Sequence, residues 1–411
     1  MTIPIHPMGS AAWWQGIAQQ GTPVVAETKN GCAGVTFLWR DPEGDEKHSS
    51  TRKVWLNITG ITDHHRGILP PSLERVTGTD VWQINLSLSE CWRGSYSLMP
   101  DSATETPEQP LTMNALRNWW KHKFLLTQRD VFNPQGSWKS ARGHWVSPLH
   151  MPAAPAQPEW QQSTLPEESP SEQLRYCRWK SDVLGNSRDV AILCTGNKNP
   201  AQRPLIILLD GMFWAKIQPL SAPLWAMTLR EEIPEAVYLF IDSVSNKLRS
   251  QELPCYPAFW EAIQQELLPQ LQQELAFSQE AAKTVVIGQS FGGLAALYAG
   301  VNWPQRFGCV LSQSGSFWWP HRYSEPDQPP GILIQQIEQG LAGNPSLRIG
   351  IDAGLHEKII LQANRQLYPL LIKAGQTVRY REIDGGHDAL CWRGGITDGL
   401  KWLWSDSVKG K

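Results

Sequence analysis

The chain has 411 residues, of which 41% are hydrophobic and 18% charged, a balance typical of a folded protein long enough for two domains. Its 37 basic and 39 acidic residues give a formal net charge of −2, which excludes a strong overall attraction to nucleic acid or to an anionic membrane. Seven scattered cysteines without a C-x-x-C pair, and the lack of a signal-peptide pattern or a membrane-length apolar run, indicate a cytoplasmic protein with reduced thiols.

The first part of the chain has the pattern of short strands separated by turns. Apolar and polar residues alternate with a period of two, and β-branched and aromatic residues are frequent, which favours antiparallel strands. The spacing predicts a small β-sandwich, followed by one short helix at Met113–Phe124. The predicted strands are Gly34–Asp41, Lys53–Ile61, Asp80–Leu88 and Gly94–Pro100.

Tryptophan is unusually frequent, with 21 residues in the whole chain. Large aromatic side chains commonly fill the cores of sheets. The same rings would also suit a surface that binds a ring-bearing ligand, and composition does not choose between these interpretations.

The stretch Met151–Gln173 lacks apolar periodicity and is rich in Pro, Gln, Ser and Glu, which is typical of an exposed connection. We therefore predict a domain boundary at residue 160, with a β-sandwich domain at 1–160 and a second domain at 161–411.

After this connection, strands alternate with helices. Several strands are continuous apolar runs, as expected for a mostly parallel sheet that is covered on both faces. The predicted strands lie within 189–196, 204–211, 236–243, 284–290, 308–315, 346–354 and 377–386. The predicted helices are Gly293–Val301, Ile332–Leu341, Ile359–Ala374, Ile396–Trp404 and Trp260–Leu275, the last with a kink or break at Pro269.

One segment carries the clearest chemical pattern. The apolar strand Thr284–Ile287 runs into Gly288-Gln289-Ser290-Phe291-Gly292, and a helix of small residues follows. In a G-x-S-x-G turn between a strand and a helix, a strained backbone projects the serine hydroxyl above the sheet. This context predicts Ser290 as a nucleophile, and the alternative is a serine that only caps the helix.

A serine nucleophile needs a base, and in this fold class the chain order is serine, acid, histidine. Three of the ten histidines follow Ser290. We predict His387 as the base because it follows the last predicted strand and two glycines that let its loop bend sharply. His321 and His356 are interpreted as surface or pocket residues.

The acid of the triad holds the second imidazole N–H and stabilises the imidazolium. Asp352 and Glu357 both occur where the preceding strand ends, whereas Asp384 and Asp388 are too close in sequence to His387 to approach its ring easily. We favour Glu357 and keep Asp352 as the alternative. A competing interpretation of Glu357 is a first-turn carboxylate that interacts with a helix dipole.

The tetrahedral intermediate requires hydrogen-bond donors for its oxyanion. The first predicted donor is the backbone N–H of Phe291, directly after the nucleophile. The second is expected from the loop after an early strand, and Met212 in the sequence Asp210-Gly211-Met212 is our candidate. An ordinary strand-end turn would also explain the Asp-Gly pair.

Five ordered motifs resemble those of the bacterial enterochelin (enterobactin) esterases: LLDGMFW, SNKLRSQEL, GQSFGG, SQSGSFWWP and GGHDALCWR. The segments TDVW, RGSY and DVFNP resemble the amino-terminal domain of the same family. The resemblance covers nearly the whole chain and implies an α/β-hydrolase catalytic domain preceded by an immunoglobulin-like β-sandwich domain.

The resemblance also implies an activity, the cytoplasmic hydrolysis of the trilactone backbone of ferric enterobactin to linear products and then to dihydroxybenzoylserine. The pattern Gly354-x-x-Glu357 resembles the acid position of related esterases and of mycolyltransferases, whose LDG loop supplies the second oxyanion donor. This favours Glu357 as the acid and Met212 as the donor.

The implied substrate is a bulky, anionic ferric tris-catecholate that needs cations and flat apolar surfaces near the nucleophile. The competing interpretations are ion-paired surface arginines and aromatic rings that cover the core. The candidate substrate-binding residues are Arg249, Arg393, Phe317, Trp318 and Trp319.

Iron is expected to arrive with the siderophore, so we predict no cofactor and no metal site in the protein. The cluster Asp63-His64-His65 is interpreted as a polar loop. We expect a small-molecule partner only, with neither nucleic acid nor membrane, and the sequence leaves the oligomeric state open.

Two other kinds of function are compatible with parts of this pattern. An acyltransferase, or an esterase for another carboxylic ester, would use the same catalytic residues. A non-catalytic siderophore-binding or iron-storage protein would not need a nucleophile turn, so Ser290 and His387 argue against it.

Overall fold

A computed structural model describes residues 5–104, 107, 111–140, 143–161, 174–321, 329–342 and 346–408. The chain divides into two compact units. The first comprises Met1–Pro155 and Asp384–Cys391, and the second comprises Ala156–Ile383 and Trp392–Lys411. This division places the segment Asp384–Cys391 with the amino-terminal unit, whereas the sequence predicts a single boundary at residue 160.

The first unit contains one antiparallel sheet with the strand order β1-β2-β5-β4-β3-β6-β8-β7. Its strands are β1 Val24–Val25, β2 Cys32–Arg40, β3 Lys53–Ile58, β4 Ser72–Arg75, β5 Val81–Ser89, β6 Arg93–Asp101, β7 Trp138–Lys139 and β8 Trp145–His150. Two helices accompany the sheet, α1 Ala11–Gln20 and α2 Met113–Phe124. The second of these has the predicted bounds.

The core of this unit follows the alternation that the sequence displays. Alternate residues of a strand point to opposite faces, so every second residue enters the same core. Seven tryptophans of this unit are no more than 7% exposed, so core packing accounts for most of its aromatic content. Members of this core include Val35, Phe37 and Trp39 of β2, Val54 and Leu56 of β3, and Tyr96 and Leu98 of β6.

As predicted, the second unit contains a mostly parallel sheet. Its strand order is β16-β15-β14-β13-β11-β12-β10-β9. The six strands from β16 through β12 in this order are parallel to one another, and β10 pairs antiparallel with both β12 and β9. The strands are β9 Arg175–Ser181, β10 Asn186–Cys194, β11 Leu205–Leu208, β12 Val237–Ile241, β13 Thr284–Gln289, β14 Cys309–Gln313, β15 Arg348–Gly354 and β16 Thr377–Ile383. The sequence did not predict β9, since this edge strand is mostly polar and exposed.

The helices of this unit pack apolar residues against the sheet. They are α3 Ser221–Leu229, α4 Asn246–Glu252, α5 Pro257–Ala262, α6 Leu268–Gln272, α7 Phe291–Asn302, α8 Ile332–Glu338, α9 Ile359–Lys373 and α10 Ala389–Val408. The helix predicted at Trp260–Leu275 is interrupted, because a π-helical turn separates α5 from α6 just before Pro269. Among the described residues, every helix is too short or too polar to span a bilayer.

Candidate active site

Four loops of the second unit begin at the carboxyl ends of neighbouring parallel strands. Strand β13 lies between β11 and β14, and β15 follows β14. In open α/β sheets, ligands bind at this edge of the sheet. The nucleophile turn follows β13, and the loops after β11, β14 and β15 hold most of the other predicted residues.

Ser290 occupies a strained turn between β13 and α7. Its φ of 59° and ψ of −120° lie outside the regions that residues with a side chain normally adopt. The turn is held by hydrogen bonds from the Ser290 N–H to the Gln313 carbonyl (2.9 Å) and from the Ser316 N–H to the Ser290 carbonyl (3.0 Å). A Cβ at Gly288 would lie 2.2 Å from the carbonyl oxygen of Gly292, so only glycine fits there.

A second serine lies beside the nucleophile, and the sequence reasoning missed it. The Oγ atoms of Ser290 and Ser316 are 3.3 Å apart, and Ser316 is buried. The sequence signal for it was the motif SQSGS, in which Ser316 is the last residue. The strand that begins this motif pairs with the strand before Ser290.

Buried amide side chains connect the strands beneath the nucleophile turn. The Trp214 indole N–H donates to Gln289 Oε1 (2.9 Å), and Gln289 Nε2 donates to Gln313 Oε1 (2.9 Å). Gln313 Nε2 in turn donates to the Trp392 carbonyl (2.7 Å). Because both glutamines are buried, each hydrogen bond fixes the position of its loop. The sequence offered no local signal for this network.

The predicted oxyanion loop follows β11. Asp210 has a φ of 53°, and a Cβ at Gly211 would lie 2.1 Å from the Phe240 carbonyl carbon of β12. Close packing against β12 therefore requires this glycine. Met212 stands immediately before the π-helical turn Phe213–Ile217, and Phe291 is the first residue of α7. The two candidate oxyanion donors thus follow adjacent parallel strands.

Arg249, a candidate for substrate binding, forms an ion pair with Asp210. Its Nε and Nη2 atoms donate to the two carboxylate oxygens of Asp210, each at 2.7 Å. Burial opposes ionisation of Asp210, but the Arg249 charge and hydrogen bonds outweigh burial and lower the pKa of this carboxyl. The pair neutralises the charge that was predicted to attract an anionic substrate.

The two candidate acids have different partners. Asp352 accepts a bidentate interaction from Arg381 (2.7 and 2.9 Å), whose Nη1 also donates to Asp398 (2.7 Å). Glu357 is buried, and its Oε2 accepts the N–H of Gly354 at 2.6 Å. The Asp352 carboxylate is therefore committed to a structural ion pair, whereas Glu357 turns back toward the carboxyl end of β15.

The segment that carries His387 is anchored to β6 of the first unit. The backbone N–H of Arg93 donates to the Asp384 carbonyl (2.9 Å). The Asp388 carboxylate accepts the backbone N–H and the Oγ–H of Ser95 (2.8 and 3.0 Å). Asp388 also accepts the N–H of Leu390 at 2.8 Å, at the start of α10. These contacts fix the Asp388 carboxylate against β6 and the start of α10.

The aromatic residues after β14 separate into two groups. Phe317 is completely buried in the core of the second unit, so it presents no surface to a ligand, and its prediction as a stacking residue is revised to a core role. Trp318 and Trp319 are partly buried, and the Trp318 ring lies 5.8 Å from the ring of Phe291. Trp318 is therefore the aromatic residue that lies beside the nucleophile turn.

Arg393 is oriented by residues near the start of the second unit. Its Nε donates to Gln157 Oε1 (2.8 Å), and its guanidinium lies 5.0 Å from the centre of the Trp160 ring. The other two late histidines are half-buried side chains, and His321 contacts the Pro330 carbonyl at 3.2 Å.

Asp63, His64 and His65 bring three potential metal-ligand atoms within 4.8 Å of one another. The Asp63 carboxylate already accepts the N–H groups of Gly60 and His65 (2.8 and 3.2 Å), as the cap of a short 3₁₀ helix. This capping matches the interpretation of the cluster as a polar loop. That the protein carries no cofactor stays a prediction.

Comparison with known proteins gives a consistent result. Residues 34–160 match the family model "Enterochelin esterase, N-terminal", and residues 181–403 match the model "Putative esterase". The chain is 46% identical over 398 residues to the iron(III) enterobactin esterase of Escherichia coli O6:H1, with 97% of each chain covered.

Two solved structures are also similar along their whole length. The ferric enterobactin esterase of Salmonella typhimurium has a TM-score of 0.90 and 48% identity, and the alignment covers 97% of this chain and 100% of that one. The Shigella flexneri enterobactin esterase, crystallised in the presence of enterobactin, has a TM-score of 0.88 and 44% identity, covering 98% and 100%.

Proposed function

The chain belongs to the family of iron(III) enterobactin esterases, and from that premise we propose that it hydrolyses the ester bonds of the ferric enterobactin trilactone. The products are linear dihydroxybenzoylserine oligomers and then monomers, which hold iron less tightly. The observation that carries the proposal is the strained backbone of Ser290, with a φ of 59°, at the carboxyl end of β13.

In the proposed reaction, Ser290 Oγ attacks the ester carbonyl carbon while His387 accepts the hydroxyl proton. The carbonyl π electrons move to oxygen, and the N–H groups of Phe291 and Met212 bind the resulting oxyanion. Collapse breaks the ester C–O bond, and His387 returns the proton to the leaving alkoxide. Water then attacks the acyl-enzyme in the same manner and regenerates Ser290.

Glu357 is the proposed acid that orients His387. The ion pair between Asp352 and Arg381 supports this choice over Asp352. To orient His387, Asp352 would have to leave Arg381, and breaking a partly buried ion pair is destabilising.

We assign substrate contact to Trp318 and Trp319, whose partly exposed rings suit catechol faces, and to Arg393 as a cation for the anionic complex. The iron enters as part of the substrate, so the proposal includes no resident cofactor.

The proposal also covers the finer architecture. One core of the first unit draws residues from β2 and β5 and also from β3 and β6, which supports a sheet folded into an immunoglobulin-like sandwich. The second unit is assigned as an α/β-hydrolase domain, with the domain boundary near residue 160. All seven cysteines are free thiols, which supports a reducing compartment such as the cytoplasm.

The test is product analysis of ferric enterobactin by mass spectrometry after incubation with wild type or Ser290→Ala. We expect the substitution to reduce turnover by about 10³-fold or more, because it removes the hydroxyl on which the acyl-enzyme forms. Ser346→Ala is the control, since this exposed serine donates to the Gly375 carbonyl and its substitution should leave turnover unchanged. Hydrolysis that survives Ser290→Ala would contradict the proposal.

A further inference from the structure

Arg249 reaches across three neighbouring strands at the candidate site. It lies in α4, which follows β12, and β12 pairs with β11, which pairs with β13. Its guanidinium contacts Asp210 after β11 and the Gln289 carbonyl (3.1 Å) at the end of β13. The Arg249 guanidinium therefore connects the loop that contains Met212, a candidate oxyanion donor, to Gln289, the residue before the nucleophile.

The contact with Asp210 has the geometry of a strong, directional interaction. Both carboxylate oxygens are used, each at 2.7 Å, and the Ser243 hydroxyl donates to Oδ1 at 2.6 Å. Bidentate arginine–carboxylate pairs fix the relative orientation of two groups more strictly than a single hydrogen bond does. Asp210 has a φ of 53°, and such a backbone conformation persists only when surrounding contacts hold it.

Arg249 also contacts the other side of the nucleophile turn. The guanidinium carbon lies 5.9 Å from the centre of the Phe291 ring, within reach of a cation–π interaction. Since Gln289 and Phe291 flank Ser290, the guanidinium contacts residues on both sides of the proposed nucleophile.

A second, independent hydrogen bond connects the loop after β11 to the nucleophile turn. Trp214, within the π-helical turn after Met212, donates its indole N–H to the Gln289 side chain at 2.9 Å. Gln289 is thus connected to the loop after β11 in two ways. Its backbone carbonyl accepts from Arg249, which in turn binds Asp210, and its side-chain oxygen accepts directly from Trp214.

We propose that Arg249 is a positioning residue of the oxyanion hole, which sets the distance between the Met212 and Phe291 N–H groups through its bridge from Asp210 to Gln289. This inference rests on the proposed esterase function, and it replaces the prediction that Arg249 binds the substrate. The expected consequence is specific to the transition state. A misplaced oxyanion donor lowers kcat, whereas a lost contact to bound substrate raises KM.

The test compares wild type with Arg249→Gln and Arg249→Lys on two esters, ferric enterobactin and 4-nitrophenyl butyrate. For Arg249→Gln we expect kcat to fall about 100-fold on both esters, with KM within about threefold, because oxyanion stabilisation is needed for any ester. Arg249→Lys keeps the charge without the bidentate geometry and should recover part of the rate.

The inhibition constant of phenylboronic acid gives a second readout. Its boron accepts the serine oxygen and becomes tetrahedral, so an oxygen on boron occupies the oxyanion position. We expect the inhibition constant to rise in parallel with the loss of kcat for Arg249→Gln and Asp210→Asn.

Arg365→Gln is the matched control, because Arg365 makes an equivalent bidentate pair with Glu382 (both 2.7 Å) on an exposed surface of the same unit. It should leave kcat, KM and boronate affinity unchanged. A raised KM with unchanged kcat would reassign Arg249 to substrate binding and overturn the inference.

Unchanged kinetics of Arg249→Gln in an active background would overturn the inference alone. A wild type that is inert on both esters would contradict the proposed function and the inference with it. If Arg249→Gln does not fold, Arg249→Lys and Asp210→Asn carry the same comparison.

Discussion

At the scale of single residues, the two candidate acids, Asp352 within β15 and Glu357 just after it, differ in their partners. Asp352 shares Arg381 with Asp398, and these contacts join β15 to β16 and α10. Glu357 is buried at the end of the same strand, and its carboxylate accepts the Gly354 N–H. A carboxylate therefore has a structural role at position 352 and a proposed catalytic role at position 357.

This difference predicts separable effects of Glu357→Gln and Asp352→Asn. Glu357→Gln should lower kcat by about 10²-fold or more with little loss of stability, because it removes the charge that stabilises the imidazolium. Asp352→Asn should lower the free energy of unfolding by about 1–3 kcal/mol, since it removes one of the two carboxylates that pair with Arg381 and the bidentate interaction with it. Steady-state kinetics and urea denaturation measure the two effects. Near-normal kcat for Glu357→Gln would point to Asp352 or to a serine–histidine dyad.

At the scale of elements, the loop with the proposed base depends on a strand that is distant in sequence. Ser95 of β6 donates two hydrogen bonds to the Asp388 carboxylate. The backbone of Gly385 lies so close to β6 that a Cβ at this position would be 2.7 Å from the Arg93 carbonyl oxygen. The backbone on either side of His387 is thereby held within the first unit, to which Asp384–Cys391 belongs.

Asp388→Ala should therefore reduce kcat without a change in KM. The substitution removes three hydrogen bonds that fix the loop, and a displacement of a catalytic group by about 1 Å can cost about 10²-fold in rate. Ser97→Ala is the control, because Ser97 lies on the same strand and donates one partly buried hydrogen bond to the Trp145 carbonyl. Equal kinetics for Asp388→Ala and wild type would rule out this role for the anchor.

At the scale of the whole molecule, both units contain carboxylates whose pKa values lie below the ordinary range. Burial opposes ionisation of Asp41 and Asp101, but hydrogen bonds from Ser49 and Lys123, among others, outweigh burial and lower both pKa values. The pKa of Asp210 in the second unit is lowered by Arg249. A carboxyl group with a lowered folded-state pKa stabilises the fold above its unfolded-state pKa, and this stability is lost as the pH falls through the folded-state value.

We therefore expect the contribution of these three carboxylates to the free energy of unfolding to decrease as the pH falls from 5 to 3, two values that bracket the unfolded-state pKa of aspartate at about 3.9. Asp41→Asn should remove about 1–2 kcal/mol at neutral pH and flatten this dependence, because the amide cannot lose the same charge. Denaturation curves at several pH values provide the measurement. An equal slope for wild type and Asp41→Asn would exclude Asp41 as a contributor.

The sequence by itself determined the features that depend on neighbouring residues. Apolar alternation indicated the antiparallel strands of the first unit, and continuous apolar runs indicated the parallel strands of the second. The G-x-S-x-G context indicated the strained turn at Ser290. Chain order and motif resemblance were sufficient for the family and for the choice of His387 and Glu357 as candidates.

Only the tertiary structure decided which side chains meet across long separations in the chain. It paired Arg249 with Asp210 and Asp352 with Arg381, and it buried Phe317 completely. It also attached the His387 segment to β6. The physical reason is that ion pairs and close packing depend on which strands become neighbours, and the local periodicity of a sequence carries no record of that order.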